Sequence, residues 1–304
     1  MIYSDAYTYV ARGLSFAGSD ADRIASAKDG IKAAIEEWNL RRDWRYLLMD
    51  TRNGFTVAAC TSNGATPSVI TTTTPNGFAG VNIGQTATGL SGTITVVSVG
   101  STNLTLTAAE MVTGGPVTLT FSGDIPIVVG SDLYNLPTTI KRIYSVRLLT
   151  NERTLSWKDE REIDRKYISQ TQQVVPAFYN NFNDASFSPV KPYGRLRIFP
   201  ISSVTDTCRV RYYRPIVQPS SDSDVLDMPE RYTFGMLILA KYYFLTGYNA
   251  ENARTGEMKE RGEFLFKQAV KDDHYASADR DVVLIAQVDW DNRRSIDSGE
   301  IIPY

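Results

Sequence analysis

The chain has 304 residues, 42% of them hydrophobic and 22% charged, and a formal net charge of −2. That length holds two domains or one domain with an insertion, and the composition is that of an ordinary soluble globular protein. A charge so close to neutral gives no global attraction to nucleic acid, although local faces can differ from the mean.

Two cysteines, Cys60 and Cys208, lie in segments of different composition and form no metal pattern, so reduced, buried thiols are expected. The single histidine, His274, cannot build a His-rich metal site. No basic stretch followed by an apolar core opens the chain, so no signal peptide is expected. The most apolar helical stretch, Met236–Leu245, is interrupted by Lys241 and is too short to span a bilayer.

Taken in order, Tyr3–Leu14 reads as a short helix. Ile24, Ala27, Ile31, Ala34, Ile35 and Trp38 then recur at three- and four-residue spacings, the signature of one apolar helical stripe. This predicts a helix over Asp20–Leu48 with Ser19 or Asp20 as its N-cap. Trp38 and Trp44, flanked by leucines, read either as core anchors or as a binding hot spot.

The composition changes at Arg52. From there to Lys141 there is no Lys or Arg, and the only charges are Glu110, Asp124 and Asp132. Alternating runs such as Gly92–Val99, Leu104–Thr107 and Val117–Phe121, separated by Gly-rich turns, predict a small β-sandwich or barrel. An inserted β-domain is placed at 55–123, with Ile70–Gly80 as a loop. Its low charge suits packing against neighbours.

After the insertion, Leu136–Leu149 reads as a turn and then a strand, and Leu155–Trp157 begins a second strand. The charged run Lys158–Lys166 reads as a solvated helix or edge. Phe178–Phe182 is expected to lie over the sheet edge. Arg195 and Arg197, then Arg209 and Arg211, alternate with Leu196, Ile198, Cys208, Val210 and Tyr212. That period of two predicts two half-buried strands with a basic face, joined as an antiparallel hairpin through Ser202–Asp206. The basic face lies either near nucleic acid or in a solvated or inter-subunit salt-bridged surface.

Pro229 suits the first turn of a helix running to Thr246. A second helix covers about Ala250–Asp272, with Gly247 between them as a left-handed cap. With Asp20–Leu48 these make a three-helix bundle. The tail Asp279–Tyr304 turns polar and ends in Ile301-Ile302-Pro303-Tyr304, an apolar tip suited to docking on another chain.

No arrangement for catalysis emerges. There is no P-loop, Rossmann glycine triplet, HExxH or CxxC, and the glycines of Gly89–Gly92 are one residue short of a nucleophile elbow. His274 sits at a helix end, where it serves the helix dipole better than general-base chemistry. The adjacent carboxylates Asp272-Asp273 and Glu36-Glu37 point to different sides of their helices.

Several motifs, in this order, carry a family resemblance. They are Asp43-Trp44 with Leu47, Leu136-Pro137, Ile140-Lys-Arg-Ile-Tyr-Ser-Val146 and Val175-Pro-Ala-Phe-Tyr179. Gly194-Arg-Leu-Arg-Ile-Phe-Pro200, Val210-Arg-Tyr-Tyr-Arg214 and Met228-Pro-Glu-Arg-Tyr232 follow. The chain thereby resembles the head-to-tail adaptor (connector) proteins of short-tailed bacteriophages. The resemblance implies an α+β fold in which an N-terminal helix and a C-terminal helical hairpin form a bundle beside an antiparallel β-region. It places the adaptor core at 1–54 and 124–278, an inserted Ig-like β-sandwich at 55–123, and an extended tail at 279–304.

It also implies a structural virion protein, assembled in the host cytoplasm, with no catalysis and no cofactor. Twelve copies would form a ring between the portal protein and the tail nozzle or tail-tube protein, with genomic double-stranded DNA passing through the lumen. The tail would reach the portal through Trp290, Arg293, Arg294, Ile301, Ile302 and Tyr304. Arg195, Arg197, Arg209 and Arg211 would belong to a channel or inter-subunit face. A different tail component, attaching fibres or binding a receptor, is the competing reading and is motivated by the Thr/Gly-rich module.

Overall fold

The computed structural model describes residues 1–12, 19–63, 69–73, 78, 80–89, 94–100, 103–106, 116–136, 140–166, 173–184, 191–247 and 253–275. The chain is α+β and divides into two compact units, Met1–Leu47 with Ile216–Tyr304, and Leu48–Pro215. The helices are α1 (Tyr3–Ala11), α2 (Asp20–Arg41), α3 (Glu160–Lys166), α4 (Glu230–Thr246) and α5 (Ala253–Tyr275). All except α3 belong to the first unit.

In that helical unit α2 starts at a capping box. The Ser19 hydroxyl accepts from the Asp22 N–H while the Asp22 carboxylate accepts from the Ser19 N–H, so two orphan donors are satisfied reciprocally. The expected stripe is buried as Ala27, Ile31, Ala34, Ile35 and Trp38. Helix α4 packs between α2 and α5, with α1 against both α2 and α4. Placed between partners, α4 buries residues around most of its circumference: Tyr232, Met236, Leu237, Ile238, Leu239, Ala240 and Phe244. Gly30 lets α2 approach α4 closely, because a Cβ there would lie 2.8 Å from the Ala240 carbonyl oxygen.

Helix α2 ends at Arg41, short of the Leu48 expected from sequence. Arg42 is extended and Trp44 folds back, its indole N–H donating to the Trp38 carbonyl at 3.1 Å. A helix leaves its last carbonyls without internal partners, and this side chain satisfies one of them. The two indoles then stack with ring centroids 4.9 Å apart, both fully buried. Core packing is therefore the correct reading of the tryptophan pair. Gly247 is not a left-handed cap: it is right-handed helical (φ −60°, ψ −18°), and its N–H continues the helix by donating to the Tyr243 carbonyl.

The second unit opens with β1 (Leu48–Asp50). Six strands follow: β2 (Phe55–Ser62), β3 (Val69–Thr72), β4 (Thr86–Thr88), β5 (Ile94–Val99), β6 (Asn103–Leu106) and β7 (Val117–Phe121). They close into a barrel in the order β2-β3-β6-β5-β4-β7. Of the sandwich or barrel expected from the alternation, the barrel is the form adopted; the two separate sheets of an Ig-like sandwich are not seen among the described residues. Closure depends on β2, which pairs with β3 on one side and β7 on the other and shifts register between Val57 and Cys60. Ala59 sits in that bulge at φ 54°, and a bulge bends and twists its strand enough to join both edges. Residues 70–72, expected to open a loop, are part of β3.

The barrel interior is apolar, from Ile70, Phe78, Leu104, Leu106, Leu119 and Phe121. Its exposed positions include Thr56, Thr61, Thr71, Thr88, Thr118 and Thr120. Chain entry and exit meet at a neck, where Gly54 and Gly123 both approach backbone too closely for a side chain.

The remaining strands are β8 (Ile125–Ile127), β9 (Leu133–Asn135), β10 (Arg142–Leu148), β11 (Arg153–Trp157), β12 (Gln173–Val174), β13 (Phe178–Asp184), β14 (Lys191–Phe199), β15 (Ile201–Ser202) and β16 (Asp206–Tyr213). The main sheet runs β1-β16-β10-β11-β13-β14-β9, with β8 also on β16. Thus β14 and β16 do not form the expected hairpin. Both edges of β14 are taken by β13 and β9, while the chain after it forms β15, which pairs in parallel with β12. Strand β13, expected over the sheet edge, lies inside the sheet between β11 and β14.

Asp206 pins this sheet. It is 7% exposed and accepts from the N–H groups of Thr150 (2.9 Å) and Thr207 (2.6 Å) and from the Asn151 side chain (2.7 Å). It thereby ties the start of β16 to the turn after β10. Burial acts to raise its pKa, but the donors from Thr150, Asn151 and Thr207 outweigh burial and hold it below the ordinary carboxylate value. Asp206→Ala should cost about 1–3 kcal/mol by leaving buried donors unpaired. Because the folded-state pKa is depressed, the ionised group contributes fully above the unfolded value of about 3.9, and the contribution fades as pH falls through the folded value. Urea unfolding of wild type and variant across this range should show their difference shrinking below pH ~4. A difference that is unchanged in acid contradicts the assignment.

Candidate functional site

Both cysteines are buried free thiols, and burial drives the Cys208 thiol pKa far upward, so its thiolate is inaccessible near neutrality. Among the described residues no group of three or more His, Cys, Asp or Glu is placed to hold a metal ion. His274 lies in the last turn of α5. Among the described residues no helix is long and apolar enough to cross a membrane.

The arginines singled out by sequence fall into two groups on strands separated by β13, β11 and β10. On β14, Arg195 is half-buried and stands opposite Asn135 and Phe182. Arg197 is only 8% exposed. Its guanidinium donates to Asp132 at 3.1 Å and Glu160 at 3.2 Å. Removing either acid leaves a buried cation short of a partner, which is expensive.

On β16, Arg209 grips Asp124 with two bonds of 3.1 and 2.7 Å. Asp124 also accepts from the Thr51 hydroxyl, and that hydroxyl accepts from the Val210 N–H. The Asp124 anchor thus ties β16 to the barrel neck within the same unit. Arg211 is exposed, opposite Asp50 on β1 and Ser145 on β10.

The outward face around Arg211 contains residues not singled out by the strand pattern. Directly opposite residues of an antiparallel pair share a face. Arg147 stands opposite Arg209, and Arg142 opposite Tyr213. The register slips between Ile143 and Ser145, which makes Tyr144 a bulge residue and leaves it 48% exposed. Its ring meets Tyr213 edge-on at 5.9 Å. The sequence signal was the spacing of Ile143, Val146 and Leu148, all buried, with Arg142 before them and Arg147 between the last two. The bulge broke the strict period of two.

Asp50 accepts from Arg52 at 2.8 Å, a bond that lowers the carboxylate pKa. The described acids on this face, Asp50 and Asp124, are therefore engaged by Arg52 and Arg209. Trp290, Arg293, Arg294, Ile301, Ile302 and Tyr304, expected to reach a partner, lie outside the described residues.

The chain matches no curated protein. The model of the SU10 adaptor protein family matches residues 108–284, from just before β7 through α5. This span covers strands β8–β16, both arginine groups and the helical pair α4–α5. Because it takes in more than half of the chain, the protein belongs to the SU10 adaptor protein family, structural adaptor proteins of bacteriophages.

Proposed function

We propose that this protein is the head-to-tail adaptor of a short-tailed phage. Twelve copies form a ring that joins the portal to the tail nozzle and surrounds the channel through which the genomic DNA passes. The observation that carries this reading is the family match over 108–284, a span that runs continuously across the sheet and the α4–α5 pair. Contacts between copies in a ring give the weakly charged barrel a neighbour. In this reading the barrel is an insertion in the adaptor core, and the tail from residue 279, with Trp290, Arg293, Arg294, Ile301, Ile302 and Tyr304, reaches the portal. Arg195, Arg197, Arg209 and Arg211 belong to the channel or inter-subunit face, with Arg211 the exposed member.

A phage with a nonsense mutation in this gene should fill its heads with DNA but fail to attach tails, and added purified protein should restore infectivity. Fully tailed, infectious particles from the mutant would overturn the proposal.

One observation favours a second reading. The barrel exterior presents threonine instead of charge, a surface suited to a fibre or a receptor. If that is its role, replacing 55–123 by a short linker abolishes fibre or host attachment while tails still join heads.

A further inference from the structure

We propose that the outer face of β10 and β16, centred on Arg147, Arg211 and Tyr144, docks head-to-tail against the net-acidic helical unit of a second copy of this chain. The inference rests on the adaptor reading and names the surface that would build its ring. Arg147 lies directly across from Arg209, whose partner Asp124 is already engaged, so the pairing gives Arg147 no counter-charge. Arg147 and Arg211 are exposed, and neither makes an ion pair among the described residues, because the acids of the face are held by Arg52 and Arg209. The bulge that exposes Tyr144 beside Tyr213 sets an aromatic pair among these cations. Arginine with tyrosine is the composition of an interface hot spot.

The charge distribution selects the occupant. The unit Leu48–Pro215 has fifteen Lys or Arg against eleven Asp or Glu, a balance of +4, and every one of those cations except Arg52 follows residue 140. The helical part of the chain, 1–47 with 216–275, has fourteen against seventeen, a balance of −3. Pairing this face with itself would crowd its unpaired arginines, whereas contact with the net-acidic unit of the next copy sets opposite charges together. Such a heterologous contact closes into a ring when the rotation between copies closes. Nucleic acid is the weaker match. Arg209 is locked on Asp124, two carboxylates sit within the face, and the tyrosines pack edge-to-face instead of standing apart as a stacking platform.

The test uses full-length protein. In Arg147→Glu/Arg211→Glu, both changes are on exposed side chains, and association measured by mass photometry should weaken by roughly thirtyfold or more. In wild type, assembly should weaken as salt rises. Arg147→Lys, mixed from isotopically light and heavy chains and treated with a zero-length carbodiimide, should give inter-chain cross-links from position 147. These should end on carboxylates within 1–47 or 216–275. Wild-type rings from the double variant, or inter-chain links ending only within 48–215, overturn the inference while leaving the adaptor reading intact. A labelled DNA duplex bound by wild type and released by the double variant, with assembly unchanged, assigns the face to nucleic acid and also overturns it. A wild-type chain that stays monomeric, even with portal present, defeats the adaptor reading itself.

Discussion

Trp44→Ala should destabilise the helical unit by about 3–5 kcal/mol, the cost of a large cavity at a fully buried aromatic. Trp44 has no exposed surface. Its ring stacks on Trp38 at 4.9 Å and lies 5.5 Å from Tyr232 and 5.7 Å from Phe266. It therefore joins the end of α2 to both α4 and α5. Truncation also removes the donor to the Trp38 carbonyl and leaves that helix-end acceptor without its cap. Trp44→Phe should recover most of the packing but not the hydrogen bond, and so fall between. Chemical denaturation followed by helical circular dichroism checks this. Because the chain has two compact units, the loss should appear in the helical signal first, breaking any single transition into two. An unchanged midpoint would contradict the core assignment.

Gly123→Ala should be of similar size, on the order of 3–5 kcal/mol, because no relaxed backbone accepts the new methyl group. A Cβ at Gly123 would run into the Thr51 carbonyl oxygen and stand 2.5 Å from the Gly54 nitrogen. Both are backbone atoms, and Gly54 is itself held by a bond from its N–H to the Thr51 carbonyl at 3.1 Å. Gly54 has φ 68°, a region that side chains disfavour, and a Cβ there would meet the Phe121 carbonyl oxygen. The neck can open only by parting the first and last barrel strands, which pair at Phe55 and Phe121. Limited proteolysis should therefore cut the variant within 55–123 much faster than wild type. Gly256→Ala, where a Cβ would have open space, is the control and should leave cleavage unchanged. Equal cleavage of Gly123→Ala and wild type would mean that the neck is not closed as described.

Local features were legible and their partners were not. The Ser19 cap and the 3–4 spacing of α2 could be read directly, because both depend on residues within one turn of each other. The end of α2 could not, because Trp44 turning back on the Trp38 carbonyl is a tertiary choice made with Phe266 and Tyr232. Alternation around Arg195–Ile198 and Cys208–Tyr212 correctly indicated strands. Nearness in sequence then suggested a hairpin, whereas the partners of β14 are β13 and β9. The basic face had the same fault: Arg197 is neutralised by Asp132 and Glu160, and Arg209 by Asp124, acids 37 to 85 positions away. The module could be recognised as a sandwich or barrel from its threonine alternation, but the bulges that bend its strands, one of them at Ala59, are invisible in composition. Arg147 and Tyr144 were overlooked because a bulge interrupts the period that would have revealed them.

The most direct measurement of the central claim is electron-microscopic imaging of the purified protein, alone and mixed with portal. Closed rings of twelve copies with an open centre, stacked on the portal when it is present, are expected. A protein that remains monomeric in both preparations would contradict it.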